Sequence, residues 1–269
     1  AAERAAERLA LSYADAEDRF AGKSFGADEA VREALGRAGR DGGPVVIADT
    51  QDNPGAGGVS ATTGMLRALI AAGVEGAALG LIVDPETARE AHAAGEGAQT
   101  RFRIGGHAGV PGDAPVETEA VVETLSDGKL RATGPYYGGT ALDLGPSACL
   151  RIDGVRVVVT SRIAQMADRE MFRFVGVTPE TQKILVVKSS THFRADFATI
   201  ASDILVAVAP GPMPLDPADL PFTRLRPDLR LSPNGPAFGD LRAATARPDT
   251  GARAGVQHHQ DVIQQGRHT

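Results

Sequence analysis

The chain has 269 residues, with 28 Lys and Arg against 34 Asp and Glu, for a formal charge of -6. That acidic balance argues against a general nucleic-acid binder, and no apolar run reaches the ~18–20 residues of a membrane span. A single cysteine, Cys149, excludes an internal disulfide framework and fits a reducing, cytoplasmic setting.

The first twenty residues are rich in Ala, Glu and Arg and predict a helix, because alanine costs least in that conformation. They offer no capping residue and no apolar signal-peptide core. A second helix is expected over 28–38, with Asp28 and Glu29 in its first turn. Residues 44–48 read PVVIA, the short β-branched run of a strand buried on both faces. A glycine-rich loop, a helix over 62–72, an apolar strand over 77–83 and a helix opened by Asp84-Pro85 follow, which is the βαβ rhythm. The middle then turns to strands, at 99–104, 116–125, 129–133, 147–152 and 155–160. Asp127-Gly128 and Asp153-Gly154 sit between pairs of these and predict hairpins. Helices over 168–175 and 193–201, around a strand at 183–187, and a last strand at 204–208 restore the α/β pattern. The expected fold is α/β, with βαβ units in a mostly parallel or mixed sheet and an inserted antiparallel β-hairpin section. The expected division is a helical connector at 1–40, an α/β domain at 41–231 and a disordered tail at 232–269.

Two segments follow buried strands and precede helices, where parallel α/β sheets place their ligands. The first, DTQDNPGAGG, offers the carboxylates of Asp49 and Asp52 and the amide of Asn53, and Gly57 and Gly58 let backbone approach a ligand. Thr62 and Thr63 open the next helix, whose free N–H groups can hold an anion. The plainer alternative is a polar loop in which Asn53-Pro54-Gly55 turns the chain and Asp49 caps backbone. The second segment, KSSTHF, holds Ser189, Ser190 and His192. His192 is a candidate acid or base, and the serines are candidate ligand contacts or helix caps. Both loops share an edge if their strands are parallel in one sheet. A third segment, GPYYGGTALDLG, puts Tyr136 and Tyr137 among glycines, as pocket walls or as half-buried turn residues. No Walker loop, Rossmann fingerprint, serine elbow or His-Glu-x-x-His is present, and the scattered histidines make a zinc site hard to build.

Taken together, PVVIADTQDNPGAGG, the G-P-x-Y-G-G and D-L-G elements of 134–145, the G-V-x-V-V-V-T-S-R run before Ile163, ILVVKSSTHFRADF and APGPMPLDPADLPFTRLRP resemble one known domain. It is the C-terminal domain of the microcystinase C (MlrC) family, and the resemblance runs over about 1–231. It implies a bacterial zinc-dependent metallopeptidase or amidohydrolase acting on a peptide or amide; the member that names the family cleaves the linearised products of a cyclic peptide toxin. It further implies that an N-terminal domain absent from this sequence supplies the metal ligands, so zinc is not expected on this chain alone. The first helix resembles the connector between the two halves. His192 is then the candidate catalytic group. Asp49, Asp52, Asn53, Gly57, Gly58, Tyr136, Tyr137, Ser189 and Ser190 are the candidate substrate contacts. The expected partner is the N-terminal metal-binding domain or a self-associating second copy, covering an apolar face left open by the missing half. The alternative is a non-catalytic module that binds a small ligand or peptide and is indifferent to chelators.

Overall fold

The computed structural model describes residues 1–20, 22–39 and 42–245. They fall into two compact units, one of residues 19–220 and one joining residues 1–18 to the chain from 221 onward. Helix α1 (Ala2–Asp15) belongs to the second. The first runs through β1 (Phe25–Gly26), α2 (Ala27–Arg37), β2 (Val45–Asp49), α3 (Gly64–Ala71), β3 (Ala77–Val83), α4 (Pro85–Ala94), β4 (Gln99–Ile104) and β5 (Val116–Ser126). It continues through β6 (Lys129–Arg131), β7 (Ala141–Asp143), β8 (Ser147–Ile152), β9 (Val155–Thr160), α5 (Glu170–Arg173), β10 (Ile184–Val187), α6 (Arg194–Phe197) and β11 (Asp203–Val208).

Nine of these strands form one sheet in the order β1-β11-β2-β10-β3-β9-β8-β5-β4. Pairing is parallel from β1 to β9 and antiparallel from β9 to β4. The fold is therefore α/β with a mixed sheet, as the alternation of apolar runs and helices requires. Strands VVIAD and ILVV are buried at every residue because helices cover both faces. Val45, Ile47, Ile184 and Val186 point to the side packed by Val31 of α2, Leu66 and Leu69 of α3 and Ala88 of α4. Val46, Ala48, Leu185 and Val187 point to the side packed by Phe172 of α5, Phe197 of α6 and Phe193 just before α6. The alternation along β3 slips by one residue between Leu79 and Ile82. Gly80 lies in that slip, and a Cβ there would stand 3.2 Å from the Phe172 ring, so glycine lets α5 close on the sheet.

In the antiparallel half, Asp153-Gly154 makes the expected hairpin between β8 and β9, with Asp153 at φ 48°. Asp127-Gly128 does not. Strand β5 pairs with β4 and β8, whereas β6 pairs with β7 in a separate two-stranded sheet. Gly128 (φ +83°) accepts from Leu144 N, and a Cβ there would fall on Gly145 O, so this turn redirects the chain instead of folding it back. Glu123 on β5 lies between Arg151 (2.7 Å) and Arg156 (2.6 Å) and joins β5, β8 and β9.

The expected connector at 1–40 is not one piece. Strand β1 adds to the sheet beside β11, and α2 buries Ala30, Val31 and Ala34 in the core, so these residues are part of the α/β unit. Phe238–Thr245 forms a helix, α7, with the Phe238 ring buried. In that second unit, Glu17 accepts from Asn234 N (2.8 Å) and pairs with Arg230, and Asp18 accepts from Asn234 Nδ2 (2.7 Å). Residues 246–269 of the expected tail lie outside the described residues. Among the described residues no helix is long and apolar enough to cross a membrane.

Asp84 fixes the approach to α4. Its carboxylate accepts from Thr87 N (3.0 Å), Thr87 Oγ1 (2.8 Å) and Gly105 N (2.8 Å). Asp84→Ala is expected to cost about 1–2 kcal/mol in urea unfolding, as for loss of a helix cap; an unchanged midpoint would contradict the capping role.

Candidate functional site

Strands β2 and β10 are parallel neighbours, with Ala48 opposite Val187. The residues that follow them, Asp49 and Lys188, therefore emerge side by side at the carboxyl edge of the sheet. The Lys188 side chain is wholly buried there, with Nζ 2.7 Å from Asp49 Oδ2, 3.0 Å from Asp52 Oδ2 and 3.0 Å from Thr62 Oγ1. An ammonium bonded three ways to oxygen can be held without water; one left unpaired at this depth could not.

Asp52 is the more saturated carboxylate. It accepts from the N–H groups of Val59, Ser60 and Thr62 at 2.8–3.0 Å and from Thr62 Oγ1 at 2.9 Å. Burial pushes its carboxyl up, but Lys188 and the Thr62 and Ser60 N–H groups outweigh that and hold it below the ordinary 3.8. Burial also works against the charge of Lys188, but Asp49 and Asp52 together hold it above the ordinary 10.5. Asp49 goes the other way. Burial raises it against the pull of Lys188, and among the described residues its Oδ1 has no hydrogen-bond partner.

Around this core the strand-end loops are stitched together. Ser190 Oγ accepts from Thr50 Oγ1 (2.7 Å) and Asn53 Nδ2 (3.0 Å). Gln51 Nε2 donates to Ala209 O and its Oε1 accepts from Leu215 N, which docks the APGPMPL segment on the same loop. Gln165 Nε2 donates to Ser189 Oγ (2.9 Å), and its Oε1 lies 3.1 Å from His192 Nδ1. The His192 ring stacks on Tyr136, with centroids 4.3 Å apart and planes at 24°. Tyr137 donates its hydroxyl to Gln165 O at 2.8 Å; burial and the neighbouring Tyr136 push that hydroxyl up to about 12. Asp168 accepts from Gly134 N (2.7 Å), and a Cβ on Gly134 would meet Asp168 and Asp196 at 2.9–3.0 Å, so the third loop is held by glycine against buried carboxylates.

The three expected segments thus meet at one edge, but their residues divide in two. Asp49, Asp52, Asn53, Gly58 and Ser189 are buried and bonded within the protein. Gly58 is framework too, since a Cβ there would press on Asn53 backbone at 2.7 Å. Gly57 (φ +96°), His192 and Tyr136 are exposed, and Ser190 and Tyr137 are partly so. Asn53-Pro54-Gly55 is the expected turn, with Asn53 Oδ1 accepting from Gly55 N. Asp49 bonds Lys188 and does not cap backbone. Ser189 and Ser190 do not cap α6, whose first residue has no side-chain cap. The helix after the first loop begins at Gly64, and the N–H groups of Thr62 and Thr63 are already taken by Asp52 and Asp113, so those two are not open to an anion.

Lys188 and Gln165 are the residues that reading the sequence missed. The signal for Lys188 was present: a lysine directly after one buried strand, with an aspartate closing another. Gln165 carried none, because its loop is irregular. Cys149 is buried on β8, where burial and Glu123 push its thiol up to about 12, so it is no nucleophile.

An α/β unit whose functional face is built from loops beyond parallel strand ends belongs to the broad class of doubly covered sheets that bind ligands at that edge. Within that class the chain belongs to the MlrC C-terminus family, whose pattern matches residues 47–224. The matched span is shorter at both ends than the resemblance read from the sequence. Microcystinase C of Sphingomonas sp is 26% identical over 162 residues, which is 60% of this chain and 31% of that protein. A crystal structure of a candidate metallopeptidase from Mesorhizobium sp. BNC1 superposes with a TM-score of 0.69 at 28% identity, covering 82% of this chain and 43% of that one. The chain therefore spans less than half the length of either relative.

Lys188→Met leaves Asp49 and Asp52 buried and unpaired and is expected to cost about 3–5 kcal/mol in chemical unfolding. A loss below ~1 kcal/mol would contradict the cluster's role. The pH dependence follows from the shifts. Asp52, depressed, contributes stability that is present above pH 3.8 and lost as pH falls through its lower folded value. Lys188, raised, contributes stability that is present below pH 10.5 and lost as pH rises through its higher folded value. Unfolding midpoints of Asp52→Asn are expected to fall less steeply in acid than those of the parent protein; equal slopes would count against the assignment.

Proposed function

We propose that this chain works as the C-terminal portion of a zinc-dependent peptidase or amidohydrolase and forms one wall of its amide-binding cleft. One observation carries the reading: the loops at 49–58, 134–137 and 188–193 converge on one sheet edge in a chain of the MlrC C-terminus family. The similarity to Microcystinase C and to a candidate metallopeptidase supports a peptidase-like activity for the whole protein. At the edge, His192 and Ser190 offer hydrogen bonds to an amide, and Tyr136 offers a flat apolar face. The loop that the Lys188 cluster fixes holds Ser190 through Thr50 and Asn53, while Gln165 and the Tyr136 stack hold His192, which is what substrate positioning requires.

A zinc site needs three or four convergent His, Cys or carboxylate ligands. Among the described residues no group of three or more such side chains could hold a metal. The seat between Asp49 and Asp52 is taken by the Lys188 ammonium. These residues do not fit zinc. In this reading the metal ligands belong to an N-terminal part of the whole protein, and the present chain orients substrate and is inactive by itself.

The test is to load the purified chain with zinc, dialyse it, and measure bound metal by elemental mass spectrometry. Amide cleavage is then followed on a peptide mixture, with the chain alone and co-expressed with an N-terminal metal-binding region of the family. Expected are far less than one zinc per chain, no cleavage alone, and chelator-sensitive cleavage by the complex that His192→Ala slows about 100-fold. One tightly held zinc on this chain, or a complex indifferent to His192→Ala and Tyr136→Ala, would overturn the reading. Peptide binding without cleavage, unaffected by chelator, would establish a non-catalytic module instead.

A further inference from the structure

We propose that Gln165 is a positioning residue that sets the tautomer of His192, keeping the ring proton on Nδ1 and leaving Nε2 as a bare acceptor. This rests on the reading of the edge as substrate-facing only for its use; the tautomer itself stands on geometry. Gln165 is 5% exposed, so its amide must find partners within the protein. Its Nε2 donates to Ser189 Oγ at 2.9 Å, and its Oε1 faces His192 Nδ1 at 3.1 Å. An amide oxygen only accepts, so the ring nitrogen facing it must carry the hydrogen. A neutral imidazole has one N–H, and Nε2 then holds a lone pair.

The ring is held against rotation by its stack on Tyr136, and the loop beneath it by Ser190 bonded to Asn53 and Thr50. Nε2 has no hydrogen-bond partner among the described residues, and the His192 side chain is exposed. The edge thus presents an acceptor aimed by a buried amide. That acceptor suits the N–H of a bound peptide or amide, and it suits a water hydrogen equally. It does not suit a carboxylate or phosphate oxygen, which would need a donor from the neutral ring. The ligand class is therefore a hydrogen-bond donor, in keeping with an amide substrate.

The opposite amide setting would turn an N–H toward Nδ1 and leave the ring proton on Nε2. The two settings differ in which ring nitrogen is bare, and nitrogen NMR reads that directly. The chain is labelled with 15N, and two-bond proton–nitrogen spectra of its histidines are recorded at alkaline pH, where imidazole is neutral. The His192 cross-peaks are those missing from His192→Gln. The expected pattern is protonated Nδ1 and bare Nε2, the reverse of the form that a free histidine side chain prefers. Gln165→Ala is expected to return the ring to the Nε2–H form, whereas Gln165→Glu, whose carboxylate accepts, keeps Nδ1–H.

An Nε2–H pattern in the parent protein would overturn the proposal. So would an Nδ1–H pattern that survives in Gln165→Ala. If Gln165→Ala fails to fold, the parent spectrum alone still decides between the two settings, because only the setting with Oε1 toward the ring gives Nδ1–H. No substrate, metal or partner enters this measurement. A failure of the tautomer assignment is therefore separate from a failure of the cleavage assay that tests the proposed function.

Discussion

Everything at the strand-end edge depends on one buried ammonium. Lys188 is placed at the end of a central strand, where both faces of the sheet are covered and no water reaches its Nζ. A charge in that position is tolerated only because Asp49, Asp52 and Thr62 surround it. Asp49 closes the neighbouring strand, and Asp52 and Thr62 come from the loop beyond it. The cost of burying the charge thus becomes a constraint on the path of residues 49–62. The loop must return to Lys188, and Asp52 must gather the N–H groups of Val59, Ser60 and Thr62 to do so.

The sheet order explains why this constraint builds a face and does not merely tie a knot. Strand β10 enters between β2 and β3, so the chain after it rises between two earlier loops. Ser190 then meets Asn53 and Thr50 on one side, and Ser189 meets Gln165 on the other. Buried residues make the inner layer, and His192, Ser190 and Tyr136 ride on top. A short polar loop that contains Asn-Pro-Gly would otherwise sample many paths. Here each buried polar side chain removes some of them.

The fold was legible in the sequence wherever one physical pattern dominated. VVIAD, AALGLIV and ILVV are apolar at both alternations, and only a doubly covered strand explains that. Asp84-Pro85 marks a helix start by chemistry, and α4 begins there. Illegible parts were those in which tertiary contacts overrode a local rule. Asp127-Gly128 has the composition of a hairpin turn, but crowding against Gly145 and the bond to Leu144 send the chain elsewhere. Residues 19–39 look like any alanine-rich connector until β11 gives β1 a strand to pair with. Of the site, the two loops and their meeting could be read from strand ends. The division into buried framework and exposed face could not. Asp52 and Ser190 are equally polar in sequence, and only packing makes one a keystone and the other a surface hydroxyl.

The most direct test of this account is hydrogen–deuterium exchange of the Lys188→Met chain against the parent, under conditions where both are folded. If one ammonium holds both loops, residues 50–63 and 189–193 exchange faster together in the variant, while β4 and β5, in the antiparallel half, keep their protection. Unchanged protection across 50–63 would contradict the account, because it would mean that the loop keeps its path without Lys188.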